Sequence, residues 1–320
     1  MKILGSGSYV PNEVETNLDL IDKGIDTTNE WILSKTGIKE RPISKIPVSE
    51  MAKIACEIAL KKSRISPEDI ELIILATSTP DMLIPCCSSS LQKKIKAKNS
   101  AVFDLNNACS GFVYSLDIAS KYIQTRTYEK IMVVGADWSS KITNPFDRNT
   151  VVFFADGAGA VIVGKEDFKS NFLSSYLACE GDISPIFIPS GGCLDRFHNN
   201  FNNEDFYLKM EGKKIWNFVI KVFSKTLNEL CKKAKIKIDD IDWIVPHQPN
   251  KILLEEAAKV SKIPIEKVII NVENRGNTIA ASIPIALDEA IGNSKIKRGD
   301  IVALMGFGAG LSWGGVLIRY

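Results

Sequence analysis

One cysteine is placed where reactive thiols are often found, at a turn between a strand and a helix. Cys109 follows the apolar run 101–105 and precedes a segment whose apolar residues recur at steps of four, three and four, which predicts a helix. The unpaired amides and the dipole at a helix start favour an anion, so we expect the Cys109 thiol to be shifted toward its nucleophilic thiolate form. Gly111 would let a backbone or a substrate approach closely. A nucleophile is favoured over the alternative, a small buried apolar side chain.

A histidine and an asparagine occupy comparable turns later in the chain. His247 follows the apolar run 242–245 and precedes a helical segment, and ligand chemistry in open parallel sheets collects at such strand ends. Asn277 also follows an apolar run, and a neutral amide beside a neutral imidazole could hydrogen-bond a thioester carbonyl as it becomes an enolate. A structural histidine and an ordinary Gly-Asn turn are the alternatives. The other histidine, His198, lies in the aperiodic polar segment 190–205, which we predict to be a surface loop.

Three pairs of similar segments recur at an offset of roughly 170 residues, in the same order. An internal duplication would place Asn277 across a pseudo-twofold axis from Cys109, whereas the alternative is that short apolar strands resemble one another by chance. The pairs are 65–73 with 236–244, 101–109 with 268–276, and 130–135 with 300–305.

Helical segments alternate with these strands. Strands buried on both faces that alternate with amphipathic helices predict a mostly parallel α/β architecture. We therefore predict two α/β halves, residues 1–165 and 166–320. The predicted helices are 51–62, 112–123, 215–230 and 252–260.

The composition argues against several functional classes. The chain has 320 residues, 45% of them apolar, which can bury a large core. Its 40 basic and 38 acidic residues nearly balance, so we expect no nucleic-acid partner and no membrane partner. The first residues, broken by Gly5 and Pro11, predict neither a signal peptide nor a spanning helix, and we expect a cytoplasmic protein. Seven cysteines without a CxxC pair and only two histidines argue against a disulfide framework or a metal site.

Four ordered motifs resemble those of the β-ketoacyl-acyl-carrier-protein synthase III family of thiolase-fold condensing enzymes. Further similar segments, at 5–12, 27–32, 35–41 and 155–160, extend the resemblance over essentially the whole chain. The resemblance implies an α/β thiolase fold, in which duplicated βαβαβαββ halves form a five-layer αβαβα sandwich, and a homodimer. The motifs are Asn-Ala-Cys-Ser-Gly-Phe at 107–112, Val-Pro-His-Gln-Pro-Asn at 245–250, Gly-Asn-Thr-Ile-Ala-Ala-Ser-Ile-Pro at 276–284, and Gly-Phe-Gly-Ala-Gly-Leu-Ser-Trp-Gly at 306–314.

The resemblance also implies a reaction, the decarboxylative Claisen condensation that begins fatty-acid synthesis. Cys109 would take an acyl group from a coenzyme A thioester. His247 and Asn277 would polarise the thioester carbonyl of a malonyl group on acyl carrier protein while carbon dioxide leaves. The carbanion would attack the acyl-cysteine, and the backbone amides of Cys109 and Ala309 would hold the resulting oxyanion. Acyl-coenzyme A and malonyl-carrier protein would be substrates, and neither a cofactor nor a metal is implied.

The C-terminal glycine turn differs from the family pattern at one residue and also helps to distinguish between the reactions of related enzymes. Most relatives have glycine where this chain has Ala309, which would add strain if the position needs a positive φ. The turn 306–310 lacks the second cysteine with which thiolases move a proton, and this favours decarboxylative chemistry. The complete Cys-His-Asn set favours condensation over plain acyl transfer to an alcohol or amine.

Substrate-binding residues carry over in part. Trp31 and Arg148 match the family pair that sandwiches the adenine of coenzyme A, and an aromatic ring with a guanidinium suits stacking. Lys35 replaces a family arginine, which keeps the charge but loses the planar fork. Ile84 matches the residue that enters the acyl pocket of the partner subunit, where its bulk would limit primer length.

The expected docking surface for the carrier protein departs most from the family. Ile252 replaces the usual arginine after the His-Gln-x-Asn motif. Two alternatives follow, a synthase III-like acyltransferase or condensing enzyme of a specialised pathway, and a catalytically silent thiolase-fold binding protein, which the intact Cys-His-Asn set disfavours. Lysines could still steer an acidic carrier, although a lysine row is more often a solvated face. These lysines are Lys213, Lys214, Lys251 and Lys259.

Overall fold

The computed structural model describes residues 1–165, 171–193, 195 and 202–320. His198 lies outside the described residues, as do residues 194, 196, 197 and 199–201 of the predicted loop 190–205. The strands are β1 (Lys2–Tyr9), β2 (Val14–Thr16), β3 (Glu40–Pro42), β4 (Leu72–Ala76), β5 (Ala101–Leu105), β6 (Lys130–Trp138), β7 (Asp156–Gly164), β8 (Phe172–Cys179), β9 (Ile186–Phe187), β10 (Lys209–Met210), β11 (Trp243–Pro246), β12 (Ile301–Gly308) and β13 (Ser312–Arg319). The α-helices are α1 (Asn17–Asp22), α2 (Asn29–Thr36), α3 (Val48–Ser63), α4 (Cys87–Ile95), α5 (Gly111–Gln124), α6 (Arg148–Val151), α7 (Gly212–Ala234), α8 (Lys251–Val260), α9 (Val272–Arg275) and α10 (Ser282–Gly292).

The predicted helices are confirmed, with longer ends, as α3, α5, α7 and α8. Their apolar residues explain why each forms where it does. In α7, for example, Phe218, Val222 and Leu230 are buried on a single stripe while the opposite face carries lysines, as expected for a helix that covers a sheet.

Two sheets repeat one strand order. In the first sheet, β1-β7-β6-β4-β5, strand β4 is parallel to β5 and β6, and β7 is antiparallel to β6 and β1. In the second, β8-β13-β12-β11, strand β11 is parallel to β12, and β13 is antiparallel to β12 and β8. The predicted repeat is therefore a structural one. The first sheet uses residues 2–164 and the second 172–319, while the boundary at 165 stays a prediction.

The registers refine the predicted alignment. Leu72 pairs with Ile131, and Trp243 pairs with Val302 at the corresponding position. Ile131 therefore corresponds to Val302, a single-residue shift from the predicted match of 130–135 with 300–305.

One predicted strand, at 268–270, is reduced to an isolated bridge between Ile244 and Val268. A side-chain amide takes the hydrogen bonds that a further strand would make: Gln248 Nε2 donates to the carbonyl of Ile269 at 2.9 Å, and the amide of Asn271 donates to Gln248 Oε1 at 3.1 Å. A strand prediction from apolar residues alone misses this competition between side chain and backbone.

The elements form five layers. Helix α3 packs on β1, β6 and β7, and α4 packs on β4 and β5, so both cover the outer face of the first sheet. Helices α5 and α10 lie between the sheets and contact strands of both. Helix α7 covers the outer face of β8, β12 and β13, with α8 packed beside it. The central core joins Phe112 and Leu116 of α5 to Ile283 and Leu287 of α10. Among the described residues, no helix has both the length and the apolar character needed to cross a bilayer.

Candidate active site

A pocket of about 670 Å³ brings together the three residues singled out for chemistry. Cys109 comes from the turn between β5 and α5, His247 from the end of β11, and Asn277 from the turn before α10. The rest of the wall is largely apolar, which suits an acyl chain better than a charged ligand. Its aromatic members are Phe153, Phe154, Trp216, Phe218 and Phe307.

Cys109 is held in the middle of a tight 3-10 turn, Ala108–Ser110, that leads directly into α5. Ala108 has a φ of 44°, in the left-handed region that side-chain-bearing residues rarely adopt. The end of β12 presses against this turn, because a Cβ at Gly308 would lie 2.8 Å from the Cys109 nitrogen. The strained turn and the glycine together fix the cysteine backbone at the pocket.

Burial corrects one expectation about the cysteine. The Cys109 side chain is almost fully enclosed, and burial raises the pKa of its thiol well above the ordinary value, with a further contribution from the nearby Asp137 carboxylate. A backbone hydrogen bond opposes this shift without overcoming it. The helix start therefore does not by itself produce a thiolate in this structure, and the thiol needs a base to become a nucleophile.

His247 is suited to be such a base because it is neutral. Burial lowers the pKa of its imidazole to about 3, against a smaller opposing effect of the Ile279 backbone. Its Nδ1 shares a hydrogen bond of 2.7 Å with Ser282 Oγ, and its ring meets the Phe307 ring edge-on with centroids 5.6 Å apart. These contacts fix the ring and leave Nε2 as the nitrogen that Ser282 does not engage.

Asn277 is oriented by its own backbone. The Ile279 amide donates to Asn277 Oδ1 at 3.0 Å, so the amide oxygen is occupied and the Nδ2 donor is left for the pocket. Ile279 has a φ of 50°, which is costly for a β-branched residue. The turns of Cys109 and Asn277 therefore each contain one residue with a strained, positive φ. This similarity agrees with the duplication of the two halves.

A buried carboxylate ties these turns together. Asp137, at the end of β6, accepts hydrogen bonds from the Ser78 amide at 2.8 Å and the Ala280 amide at 2.9 Å. The Thr79 hydroxyl donates to it at 3.0 Å. Burial raises the pKa of Asp137 to about 7 despite these donors. Sequence analysis missed this residue, although an acidic side chain at the carboxyl end of a buried strand was a usable signal.

The structure removes the expected strain at Ala309. The positive φ lies on the next residue, Gly310, at 127°, and Ala309 is not in that region. Ser312 Oγ donates to the Ala309 carbonyl at 2.9 Å and shares a 2.6 Å hydrogen bond with Ser110 Oγ. Alanine at 309 is therefore tolerated without a backbone penalty, and its turn is tied to the turn of the cysteine.

The predicted coenzyme A residues lie together at the edge of α2. Arg148 Cζ lies 4.9 Å from the centroid of the Trp31 ring, and the arginine also donates to the Asp26 carbonyl at 2.6 Å. An adenine between the two groups would need them about 7 Å apart, twice the ~3.5 Å stacking contact, so the predicted sandwich would require Arg148 to move. Lys35 is exposed on the same helix as Trp31. Trp31 and the pocket-lining residue Phe153 both pack against one apolar cluster that includes Ile32 and Val152.

Ile84 does not line the pocket of its own chain. It is 87% exposed, beside Leu83 at 82% and Met82 at 52%. An apolar run this exposed is unusual on a monomer surface. The placement agrees with a role toward another chain, which stays a prediction.

The four lysines differ in their suitability for docking. Lys214 pairs with Glu211 at 3.0 Å and Lys251 with Glu273 at 3.2 Å, while Lys259 lies at the far end of α8 from the pocket and within 3.8 Å of Glu256. These acidic neighbours reduce the positive field that an acidic carrier would meet. Lys213 is exposed in the first turn of α7, where Gly212 lines the pocket.

Comparison with known proteins identifies the family. The model for 3-oxoacyl-[acyl-carrier-protein] synthase III matches residues 103–181, and the model for its C-terminal part matches residues 231–320. The chain is 41% identical to a beta-ketoacyl-[acyl-carrier-protein] synthase III of Caldanaerobacter subterraneus over 99% of this chain and 97% of the relative.

Solved structures agree over the full length. The crystal structure of the Aquifex aeolicus 3-oxoacyl-[acyl-carrier-protein] synthase III is 39% identical, with a TM-score of 0.90, covering 100% of this chain and 99% of the other. The Thermus thermophilus synthase III gives 34% identity and a TM-score of 0.93 with the same coverage. These likenesses confirm the predicted thiolase fold. The chain belongs to the 3-oxoacyl-[acyl-carrier-protein] synthase III family of condensing enzymes.

Proposed function

We propose that the protein condenses an acyl group from acyl-coenzyme A with malonyl-acyl carrier protein, releasing carbon dioxide and starting fatty-acid synthesis. The observation that carries this proposal is the convergence of Cys109, His247 and Asn277, from three separate segments, in one apolar pocket. The names of the relatives at about 40% identity support the same reaction.

In the first half-reaction, Cys109 is acylated. His247 accepts the thiol proton, the cysteine sulfur bonds to the acyl carbon, and the bond from that carbon to the coenzyme A sulfur breaks. The proton passes from the imidazole to the departing coenzyme A thiolate. A neutral imidazole is required, and burial of His247 maintains it.

In the second half-reaction, the malonyl group loses carbon dioxide. His247 and the Nδ2 of Asn277 donate hydrogen bonds to the thioester oxygen as it gains enolate character. The carbanion then attacks the acyl carbon on Cys109, with the oxyanion held by the backbone amides of Cys109 and Ala309. The cysteine leaves as a thiolate and takes a proton from solvent.

The proposal includes a homodimer, a cytoplasmic location, and no metal or cofactor. The exposed run Met82–Ile84 supports a second copy as the partner, because a paired chain would cover it and bring Ile84 to an acyl pocket. Lys213, exposed beside the pocket-lining residue Gly212, supports docking of an acidic carrier at that side.

The test supplies acyl-coenzyme A primers of graded length and carboxyl-labelled malonyl groups, either on carrier protein or on coenzyme A. We expect labelled carbon dioxide and β-ketoacyl product with the carrier-bound donor. Product only from malonyl-coenzyme A would support the specialised-pathway alternative, acyl transfer without carbon dioxide would support a plain acyltransferase, and no reaction with any primer would support a silent binding protein.

Asn277→Ala refines this test. Loss of the amide donor should leave acylation intact and slow carbon dioxide release by about 10²- to 10³-fold, the usual cost of removing one oxyanion donor. Asn274→Ala is the matched control, because Asn274 is exposed in the same segment and does not line the pocket. Equal rates for the two variants would contradict the role of Asn277.

A further inference from the structure

The hydroxyl of Ser282 lies between two groups that can accept its single proton. Ser282 Oγ is 2.7 Å from Nδ1 of His247 and 2.9 Å from the carbonyl oxygen of Ile279. The serine and the histidine are each 2% exposed, so solvent does not compete for these bonds. Neither the sequence pattern nor the family resemblance singled out this serine.

The Ser282 hydroxyl is not needed to begin α10. Ala281 occupies the cap position of that helix, and no side chain caps it. The bond to the Ile279 carbonyl, three residues earlier, is local. The bond to His247 crosses between segments 35 positions apart, and it is the contact that reaches the pocket.

One proton and two acceptors allow two arrangements. When the hydroxyl donates to Ile279, Oγ can accept from an Nδ1–H, and Nε2 of His247 carries a lone pair. When the hydroxyl rotates to donate to Nδ1, the neutral ring carries its proton on Nε2. Rotation of one hydroxyl therefore accommodates either neutral tautomer without breaking the contact.

The two half-reactions require these two tautomers. Acylation needs a lone pair on Nε2 to accept the Cys109 proton, whereas decarboxylation needs an Nε2–H to donate to the thioester oxygen. A partner that could only donate, or only accept, would favour one half-reaction and impede the other.

We propose that Ser282 is a positioning residue that holds the His247 ring and, by rotating its hydroxyl, stabilises the proton-accepting tautomer before acylation and the proton-donating tautomer after it. This inference rests on the proposed function. The change of tautomer adds one proton at Nε2 and releases one from Nδ1, both exchanged with water that enters the pocket when coenzyme A leaves, so no further reactant is needed.

Nitrogen-15 NMR of histidine-labelled protein tests the tautomers directly, because the chain has only two histidines. A His198→Gln variant assigns the His247 signals. We expect the free enzyme to carry the ring proton on Nδ1 and the acyl-enzyme to carry it on Nε2. In Ser282→Ala, the distribution of the His247 ring proton between Nδ1 and Nε2 should be the same in the free enzyme and in the acyl-enzyme.

The rates of the two half-reactions provide a second readout. Ser282→Ala should slow both acylation and carbon dioxide release by at least about tenfold, within the roughly 10²- to 10⁴-fold contribution of a positioned acid–base group. Ser120→Ala is the matched control, because Ser120 is a buried serine whose hydroxyl likewise donates to the carbonyl three residues earlier, at 2.7 Å. It should leave both rates unchanged.

The outcomes separate this inference from the proposed function. Identical tautomers in the free and acylated wild type, or a Ser282→Ala spectrum that matches the wild type, would overturn the role of Ser282 even if condensation occurs. If no acyl group reaches Cys109, the proposed function fails, yet the free-state spectra of wild type and Ser282→Ala still test whether Ser282 holds the ring.

Discussion

At the scale of residues, burial makes the reactivity of Cys109 depend on a second group, His247. The Cys109 thiol and the His247 imidazole are both uncharged in the pocket, because burial opposes each charged form. Neither group is reactive alone in the way that an exposed thiolate would be. In the proposed reaction, nucleophilic attack therefore depends on transfer of the proton from the cysteine to the histidine when the acyl thioester arrives.

The first residue-scale prediction concerns the charge next to Cys109. Asp137→Asn removes a carboxylate that raises the pKa of the Cys109 thiol, so the pKa should fall and alkylation by iodoacetamide at neutral pH should accelerate. Peptide mass spectrometry can follow Cys109 separately from the other cysteines. Asp156→Asn is the control, because it alters a buried carboxylate at the start of β7 that bonds to Ser44 and Ser140 instead. Equal acceleration in both variants would argue against the electrostatic link.

The second residue-scale prediction concerns acid stability. The pKa of His247 is about 3 in the fold and about 6.5 when unfolded, so the unfolded chain binds the extra proton first and stability falls as pH drops below about 6.5. His247→Gln should abolish this part of the loss, about 2–3 kcal/mol at pH 4.5 relative to pH 7.5. Guanidinium denaturation at both pH values measures it. A parallel loss in wild type and variant would show that the histidine is not held neutral.

At the scale of elements, the site depends on one turn docked against one strand. A Cβ at Gly135 of β6 would lie 2.3 Å from the carbonyl oxygen of Ala280, and Asp137 of the same strand accepts the Ala280 amide. Within the turn 279–281, the Ile279 amide donates to Asn277 Oδ1, and the Ile279 carbonyl accepts a hydrogen bond from Ser282 Oγ. Strand β6 therefore holds the turn that carries Asn277 in place relative to the rest of the site.

Gly135→Ala tests this support. The added methyl group meets backbone, which cannot yield without moving the turn, so we expect a loss of about 1–3 kcal/mol in the free energy of unfolding and a larger proportional loss of condensation than of acylation. Gly292→Ala is the control, because no atom lies within 4 Å of a Cβ there and the change should be neutral or stabilising by up to ~1 kcal/mol. Denaturation and both half-reaction rates can be compared. An unperturbed Gly135→Ala enzyme would show that the close contact is not required.

The sequence predicted elements better than it predicted contacts. Regular apolar spacing located α5 and α7, and the faint repeat anticipated that Cys109 and Asn277 would meet. The bridge at Val268 was not predictable from periodicity, because the Gln248 side chain takes the backbone hydrogen bonds of that segment. Ser282 was missed because its partner is distant in sequence.

At the scale of the whole molecule, duplication explains the position of the site. Helices α5 and α10 follow the turns of Cys109 and Asn277, and both lie between the sheets in one core, so both turns reach the same pocket. The outer helices, α3 with α4 and α7 with α8, close the remaining faces of the sheets. The exposed run Met82–Ile84 is the surface at which we propose that a second chain binds.

Oligomeric state is the prediction that belongs to this scale. We expect a dimer by sedimentation, and Ile84→Asp should shift it toward monomer because a carboxylate would be buried without a partner. Val260→Asp is the control, since Val260 is 53% exposed at the end of α8, away from this run. A monomeric wild type, or equal dissociation by both variants, would contradict the proposed interface.

The most direct measurement of the central claim is the mass of the enzyme after reaction with acyl-coenzyme A, followed by a chase with malonyl-carrier protein. We expect one acyl group on the peptide containing Cys109, absent in Cys109→Ala, and its loss during the chase together with one carbon dioxide and one β-ketoacyl product. An adduct on another residue, or a Cys109 adduct that the chase leaves in place without releasing carbon dioxide, would contradict decarboxylative condensation at this site.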